Sequence, residues 1–289
     1  MVVKSFRELN DYEKDKVLLF IDRKDCNTSF SEMEKMFNNK IYDYGNGVII
    51  VFNNNSVVGI GRCVLQEIPL HGIAYIHFLD VLDEVDYKKD IIRELINKLY
   101  NKCEEYGATK ILLGFRKKET LELLNELNFD VDYEAKIMYL KDRKKRNKIL
   151  HIENLNEENK SEYMRLYNNA FNNMPHGASL DENELNEFLN DNYQRNYYFI
   201  VSSEDENLGV LNVTIDGNEG TFDIGLSNEY RGIGYGKQLL ETAIDFLEKK
   251  NIEKIYLVVI GINEIAYKMY KKRGFEEERV LSFWSILKE

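Results

Sequence analysis

The chain is written twice, and that repeat limits its fold more than any other feature. The carboxyl half runs through a glycine-rich turn, a helix to Lys250, an apolar strand from Ile255 to Ile260, a short helix and then Arg273-Gly274-Phe275. The amino half follows the same order. Its helix carries Ile92, Leu95, Ile96 and Leu99 at i, i+3, i+4 and i+7, a break follows at Gly107 to Lys110, and Ile111 to Phe115 read as a buried strand. Ile111 then matches Ile255, and Phe129 matches Phe275. Earlier elements agree: each half opens with a short strand and a Leu-Asn dipeptide, Leu9-Asn10 and Leu155-Asn156, and continues to a strand pair joined by a polar turn. A self-similar chain of this kind is one α/β unit duplicated. The basic run Lys141 to Lys148 lies between the copies and reads as a solvated linker, so domains of 1–145 and 146–289 are expected.

Composition narrows the class of function. With 289 residues, 44% hydrophobic and 12% aromatic, each copy can bury a core of its own. No apolar run reaches the length of a membrane span and the amino terminus lacks a signal-peptide core, so a soluble cytoplasmic protein is expected. A net charge of −11 opposes binding to nucleic acid or an anionic membrane and favours a cationic or neutral substrate. Cys26, Cys63 and Cys103 are scattered without metal-binding spacing and are expected to be buried thiols. Neither a metal site nor a Ser-His-Asp nucleophile is expected, and His71 and His77 stand apart from other ligand types.

Chemistry concentrates in Tyr230 to Leu240, which reads YRGIGYGKQLL. Leu240, Ala243, Ile244 and Leu247 follow at helical spacing, so this stretch is a helix start whose unpaired N–H groups and positive dipole end can hold a phosphate. Gly232, Gly234 and Gly236 clear the side chains that would keep a diphosphate from the backbone.

The run Arg231 to Gly236 resembles the R/Q-x-x-G-x-G/A motif of the GCN5-related N-acetyltransferase (GNAT) family. Asn263 to Phe275 is similar to that family's N-x-x-A-x-x-x-Y-x-x-x-G-F segment. The resemblance covers the carboxyl half residue by residue and the amino half by the order of its elements. It implies two tandem GNAT-like domains, each a mixed, mostly antiparallel sheet flanked by helices. It also implies acetyl-CoA as co-substrate, its pyrophosphate on the turn formed by Arg231, Gly232, Ile233, Gly234, Tyr235 and Gly236, with Lys237 adding charge. The pantetheine arm would lie along the preceding strand near Leu226, and Asn263 would contact the arm. Tyr270 falls where the family commonly places a proton donor for the departing thiolate. A phenol of pKa about 10 suits a hydrogen bond that strengthens as that charge develops. The strand carboxylate that serves many members as general base falls here on Gly220, so Glu219 or Asp223, re-aimed by a β-bulge, is the candidate. His176, in the connection between the first two helices of this copy, is a candidate contact to the acceptor.

In the amino copy Asp90 falls at Gly234, Ile92 at Gly236 and Leu124 at Tyr270. That copy has the expected order of elements without the chemistry, and one acetyl-CoA per chain is expected. The activity expected is acetyl transfer to a primary amine of a small molecule or peptide, with a homodimer compatible with the sequence. A noncatalytic acyl-CoA sensor or interaction module is the alternative from another class.

Overall fold

The structure is a computed structural model describing residues 1–23, 27–83, 85–144, 147–172, 176–177, 179–191, 195–204 and 206–289. Cys26, and Lys145 and Arg146 of the expected linker, lie outside the described residues. The chain folds into two compact units, Met1–Glu134 with Ser282–Glu289, and Ala135–Leu281.

The first unit contains β1 (Val2–Ser5), α1 (Asp11–Asp22), α2 (Phe30–Phe37), β2 (Val48–Asn53), β3 (Ser56–Val64), α3 (Ile68–His71), β4 (Ile73–Val81), α4 (Lys88–Glu105), β5 (Lys110–Phe115) and α5 (Lys118–Glu126). Strand β6 (Tyr133–Leu140) leads out of it. The second contains β7 (His151–Asn154), α6 (Lys160–Phe171), α7 (Glu182–Leu189), β8 (Asn196–Ser203), β9 (Glu206–Asp216), β10 (Glu219–Leu226), α8 (Tyr235–Lys249), β11 (Lys254–Ile260) and α9 (Glu264–Arg273). Strand β12 (Phe275–Lys288) closes the chain. Each unit is thus a mixed α/β layer, antiparallel apart from one parallel contact, β4 with β5 and β10 with β11.

The Leu-Asn dipeptides open the first helix of each unit. Asn10 accepts from the Glu13 N–H at 3.0 Å in a reciprocal capping box, and Asn156 accepts from the Asn159 N–H at 3.0 Å just before α6. In each unit one sheet face packs against a long helix, α4 through Ile91, Leu95 and Leu99, or α8 through Leu240, Ala243, Ile244 and Leu247. The opposite face packs against α1 and α2, or α6 and α7.

The expected division at 145/146 does not coincide with the compact units. Strand β6 pairs with β11, while the end of β12 pairs with β5 through Phe283↔Phe115 and Trp284↔Gly114. Each copy therefore gives its last strand to the other unit. Gly114 permits this, since a Cβ there would lie 2.5 Å from the Trp284 ring. The basic run after β6 also differs from a solvated linker. Arg143 donates to the carbonyls of Ile252, at 3.1 Å, and Glu253, just past the end of α8. Arg273, 4% exposed, makes a two-pronged ion pair with Glu241, 1% exposed, at 2.8 and 2.9 Å and donates to the Asp142 carbonyl at 2.7 Å. These contacts fasten the described part of the run to the second unit. Cys63 and Cys103 are both buried free thiols in the first.

Candidate active site

Strands β10 and β11 run parallel only from Glu219↔Lys254 to Thr221↔Tyr256, although both continue beyond that point. The two strands splay apart there, and β10 keeps a one-sided edge. The Ser227 N–H bonds to the Leu208 carbonyl at 2.9 Å, which fixes the parity of the β9–β10 ladder. By that parity Phe222, Ile224 and Leu226 aim their backbone groups away from β9, into the splay. The Leu226 carbonyl is used there by Arg231 Nε, at 3.0 Å.

The glycine turn lies just beyond this edge. A short 3₁₀ segment, Asn228–Tyr230, leads to Gly232 at φ +79° and Gly234 at φ +103°, and α8 begins at Tyr235. Both glycines sit in the region that other residues avoid, and nothing lies within 4 Å of an added Cβ at either. Gly236 differs. Its backbone is ordinary helix, and an added Cβ would meet only Met269 Sδ at 3.5 Å and Leu226 Cδ1 at 3.9 Å, so neither conformation nor packing demands glycine. No side chain caps α8; the Lys237 N–H turns back to the Gly234 carbonyl at 3.3 Å, which leaves the Tyr235 and Gly236 N–H groups to the opening. Lys237 and Ile233 are exposed beside it. The Arg231 guanidinium faces inward, with Nη2 donating to the Ala170 carbonyl at 2.6 Å, so only the backbone of Arg231 belongs to the turn's open side.

The carboxylates separate cleanly. β10 pairs with β9 without a register shift from Glu219↔Asp216 to Leu226↔Gly209, so the expected bulge is absent and plain alternation sets each side chain's face. Gly220 points under α8, where a Cβ would lie 2.5 Å from Leu247, so no carboxylate fits there. Glu219 sits at the closed end of the splay in an ion pair with Lys254 at 2.7 Å. Asp223 occupies the open half, cross-strand from Asn212. Its side chain keeps an exposed surface, while protein packed around it strips enough water to raise the carboxyl pKa.

Tyr270 projects from α9 and is buried against Phe275 and the α8-side core. Burial first, and then the charge of Asp223, push its phenol pKa well up, so the hydroxyl keeps its proton at neutral pH. Asn263 caps α9 by accepting from the Ala266 N–H at 3.2 Å, which explains the N-x-x-A spacing in structural terms. His176 is half-buried at φ +58°, and burial lowers its pKa to about 4, so it is a neutral imidazole. Asp223, Tyr270, the glycine turn and the α9 cap thus belong to one opening, and Glu219 does not.

Residues 156–275 match the family model described as the acetyltransferase (GNAT) family. This segment is a GNAT domain. The chain is 38% identical over 60 residues to an uncharacterised N-acetyltransferase, YycN, of Bacillus subtilis (strain 168), an alignment covering 21% of this chain and 38% of the relative. It is 36% identical over 59 residues to the [ribosomal protein bS18]-alanine N-acetyltransferase of Escherichia coli (strain K12), covering 20% of this chain and 40% of that protein. The chain therefore spans about two fifths of the length of these curated relatives. The crystal structure of a GCN5-related N-acetyltransferase from Sphaerobacter thermophilus superposes with a TM-score of 0.61 at 10% identity, covering 100% of this chain and 96% of that one, which shows the shared fold.

One neighbour of the GNAT site escaped sequence reading. Tyr163 of α6 is fully buried, donates to Asn212 Oδ1 at 2.5 Å, and has its pKa raised by burial, with the charge of Asp223 adding to the effect. In the sequence it is one aromatic on the apolar stripe of a helix, indistinguishable from core.

Proposed function

We propose that the second unit transfers an acetyl group from acetyl-CoA to a primary amine of a small molecule or peptide. One observation carries this reading: the opening where β10 leaves β11 holds a carboxylate and a phenol whose pKa values are both raised, beside an uncapped helix start. The opening suits acetyl-CoA, because Gly236 is a glycine that the fold itself does not require and the parity of β10 offers an unused strand edge. When bound, acetyl-CoA supplies the activated acyl group as a thioester. The N–H groups of Tyr235 and Gly236 would hold its phosphate oxygens, and those of Phe222, Ile224 and Leu226 would align its arm and polarise the thioester carbonyl. Asp223 accepts a proton from the incoming ammonium, its raised pKa bringing it nearer the working range of a general base. Tyr270 holds a proton on its hydroxyl where thiolate charge develops. Alignment of the copies supports a first unit without this chemistry, since Ile92 and Leu124 are packed in its core.

The test is release of CoA from acetyl-CoA across a panel of polyamines, aminoglycosides, amino acids and peptides. The E. coli relative's name makes a peptide α-amine one member of that panel. The expected outcome is amine-dependent release, with Tyr270→Phe binding acetyl-CoA as well as wild type and turning over about 100-fold more slowly. Binding without amine-dependent release would instead identify an acyl-CoA sensor.

A further inference from the structure

At the ladder positions that hold Asn212 and Asp223 in the second unit, the first unit carries a cation in place of a carboxylate. The Gly59↔Val81 and Gly209↔Leu226 pairs are equivalent in the two ladders, and counting from them sets Arg62↔Phe78 in the place of Asn212↔Asp223. Position for position, a carboxylate has become an aromatic ring and an amide has become a guanidinium.

The Arg62 guanidinium lies 4.1 Å from the ring centroid of Phe78, 5.6 Å from that of Tyr42 and 5.7 Å from that of Phe37. Burial lowers its pKa, and its Nε is buried without a hydrogen-bond partner. Among the described residues no carboxylate pairs with it. Arg23 and Arg93 of the same unit do have such partners, Asp80 at 3.0 Å and Asp90 at 3.1 Å. His77 stands next to Phe78 as the extra residue where the β3–β4 register shifts, since Arg62 pairs with Phe78 and Cys63 with Ile76. Its ring stacks on Tyr42 and shares a 3.2 Å hydrogen bond with the Tyr42 hydroxyl. Burial and the charges of Arg62 and Arg116 hold His77 neutral, at about 4.

Aromatic faces offset part of the cost of desolvating a guanidinium, but they offer no acceptor to its in-plane N–H groups. A half-buried arginine held this way carries a desolvation penalty without an internal ion pair to answer it. An anion reaching the plane of the fork would supply that pair. A carboxylate matches the fork in shape, and the half-buried Phe78 ring suits an apolar body attached to it, while Phe37 and Tyr42 are core side chains that hold the guanidinium in place. We propose that the first unit binds a small carboxylate with an apolar body, the carboxylate on Arg62 and the body against the Phe78 ring. This does not rest on acetyl transfer by the second unit, because the test reads binding in the absence of acetyl-CoA.

The experiment titrates the full-length protein by calorimetry with benzoate, with its neutral isostere benzamide, and with inorganic phosphate. Benzoate is expected to bind at least tenfold more tightly than either. Arg62→Met should weaken benzoate at least tenfold without lowering the thermal midpoint, and Arg62→Lys, which keeps charge but loses the fork, should give a smaller loss. Equal affinity for benzamide, undiminished benzoate binding by Arg62→Met, or no saturable benzoate binding would overturn the proposal. Tighter binding of phosphate would overturn the carboxylate assignment. A misfolded Arg62→Met protein would count against it as the mark of a structural arginine, and the wild-type contrast of benzoate with benzamide would then decide.

Discussion

Gly236→Ala separates what the fold needs from what the ligand needs. The position is the second residue of α8, and an added methyl points toward Met269 Sδ at 3.5 Å and Leu226 Cδ1 at 3.9 Å, both ordinary contacts. With helical backbone and no clash, alanine there should stabilise the protein by about 0.5–1 kcal/mol through the unfolded chain, raising the midpoint by roughly 1–4 °C. The same methyl projects into the opening between β10 and α9 that we assign to acetyl-CoA. Losing one charge-assisted N–H bond to phosphate costs about 1.5–3 kcal/mol, or roughly ten- to a hundredfold in Kd. Calorimetric titration with acetyl-CoA alongside a melting curve should thus show a more stable protein that binds its co-substrate less well. A Kd within twofold of wild type, in a variant whose midpoint is unchanged or higher, would refute the assignment. Gly234→Ala is a poorer probe, because its φ of +103° costs an alanine about 1–2 kcal/mol whatever binds nearby.

Asp223→Asn should lower kcat/KM about 10²- to 10⁴-fold while raising stability at neutral pH. The sign follows from the raised carboxyl pKa: the native contribution is complete below the unfolded value, about 3.9, and is lost as pH rises through the folded value. The melting gap between Asn and wild type should therefore be absent in acid and open as pH increases; a gap confined to acid would contradict a raised carboxyl pKa. Glu241→Ala strands the Arg273 guanidinium, 4% exposed, and should cost about 3–5 kcal/mol, a drop of roughly 6–20 °C. The double variant Glu241→Met with Arg273→Met should recover most of that loss, and equal melting of single and double variants would show that the pair is not coupled.

What the sequence disclosed was whatever a backbone conformation or a local hydrogen bond demands. Gly232 and Gly234, marked as a turn, take positive φ; Asn263, expected as a contact to the cofactor arm, is instead seen capping α9. The helical stripe of α8 is buried along the residues its spacing marked. Partner choice left no such trace. Nothing in Tyr133 to Leu140 records that the neighbour of β6 is β11, nor in the end of β12 that its neighbour is β5, so a boundary drawn in sequence misses the exchange. Arg143 looked solvated because its acceptors, the carbonyls of Ile252 and Glu253, are distant in the chain. Choosing between Glu219 and Asp223 needed the point at which β10 leaves β11, a property of two strands and not of either alone.

The two units differ in a way that packing alone does not explain. Where the second unit has Gly236 the first has Ile92, a side chain buried in its core, so that exchange favours stability at about 25 cal/mol per Å², while Leu124 fills a core position that Tyr270 also fills. Arg62 runs the other way. A core indifferent to ligands would exchange a half-buried, unpaired guanidinium for an apolar residue and become more stable. Its place among three aromatic rings, opposite Phe78, is a cost that binding would offset. The same pair of ladder positions thus carries a carboxylate in one unit and a guanidinium in the other.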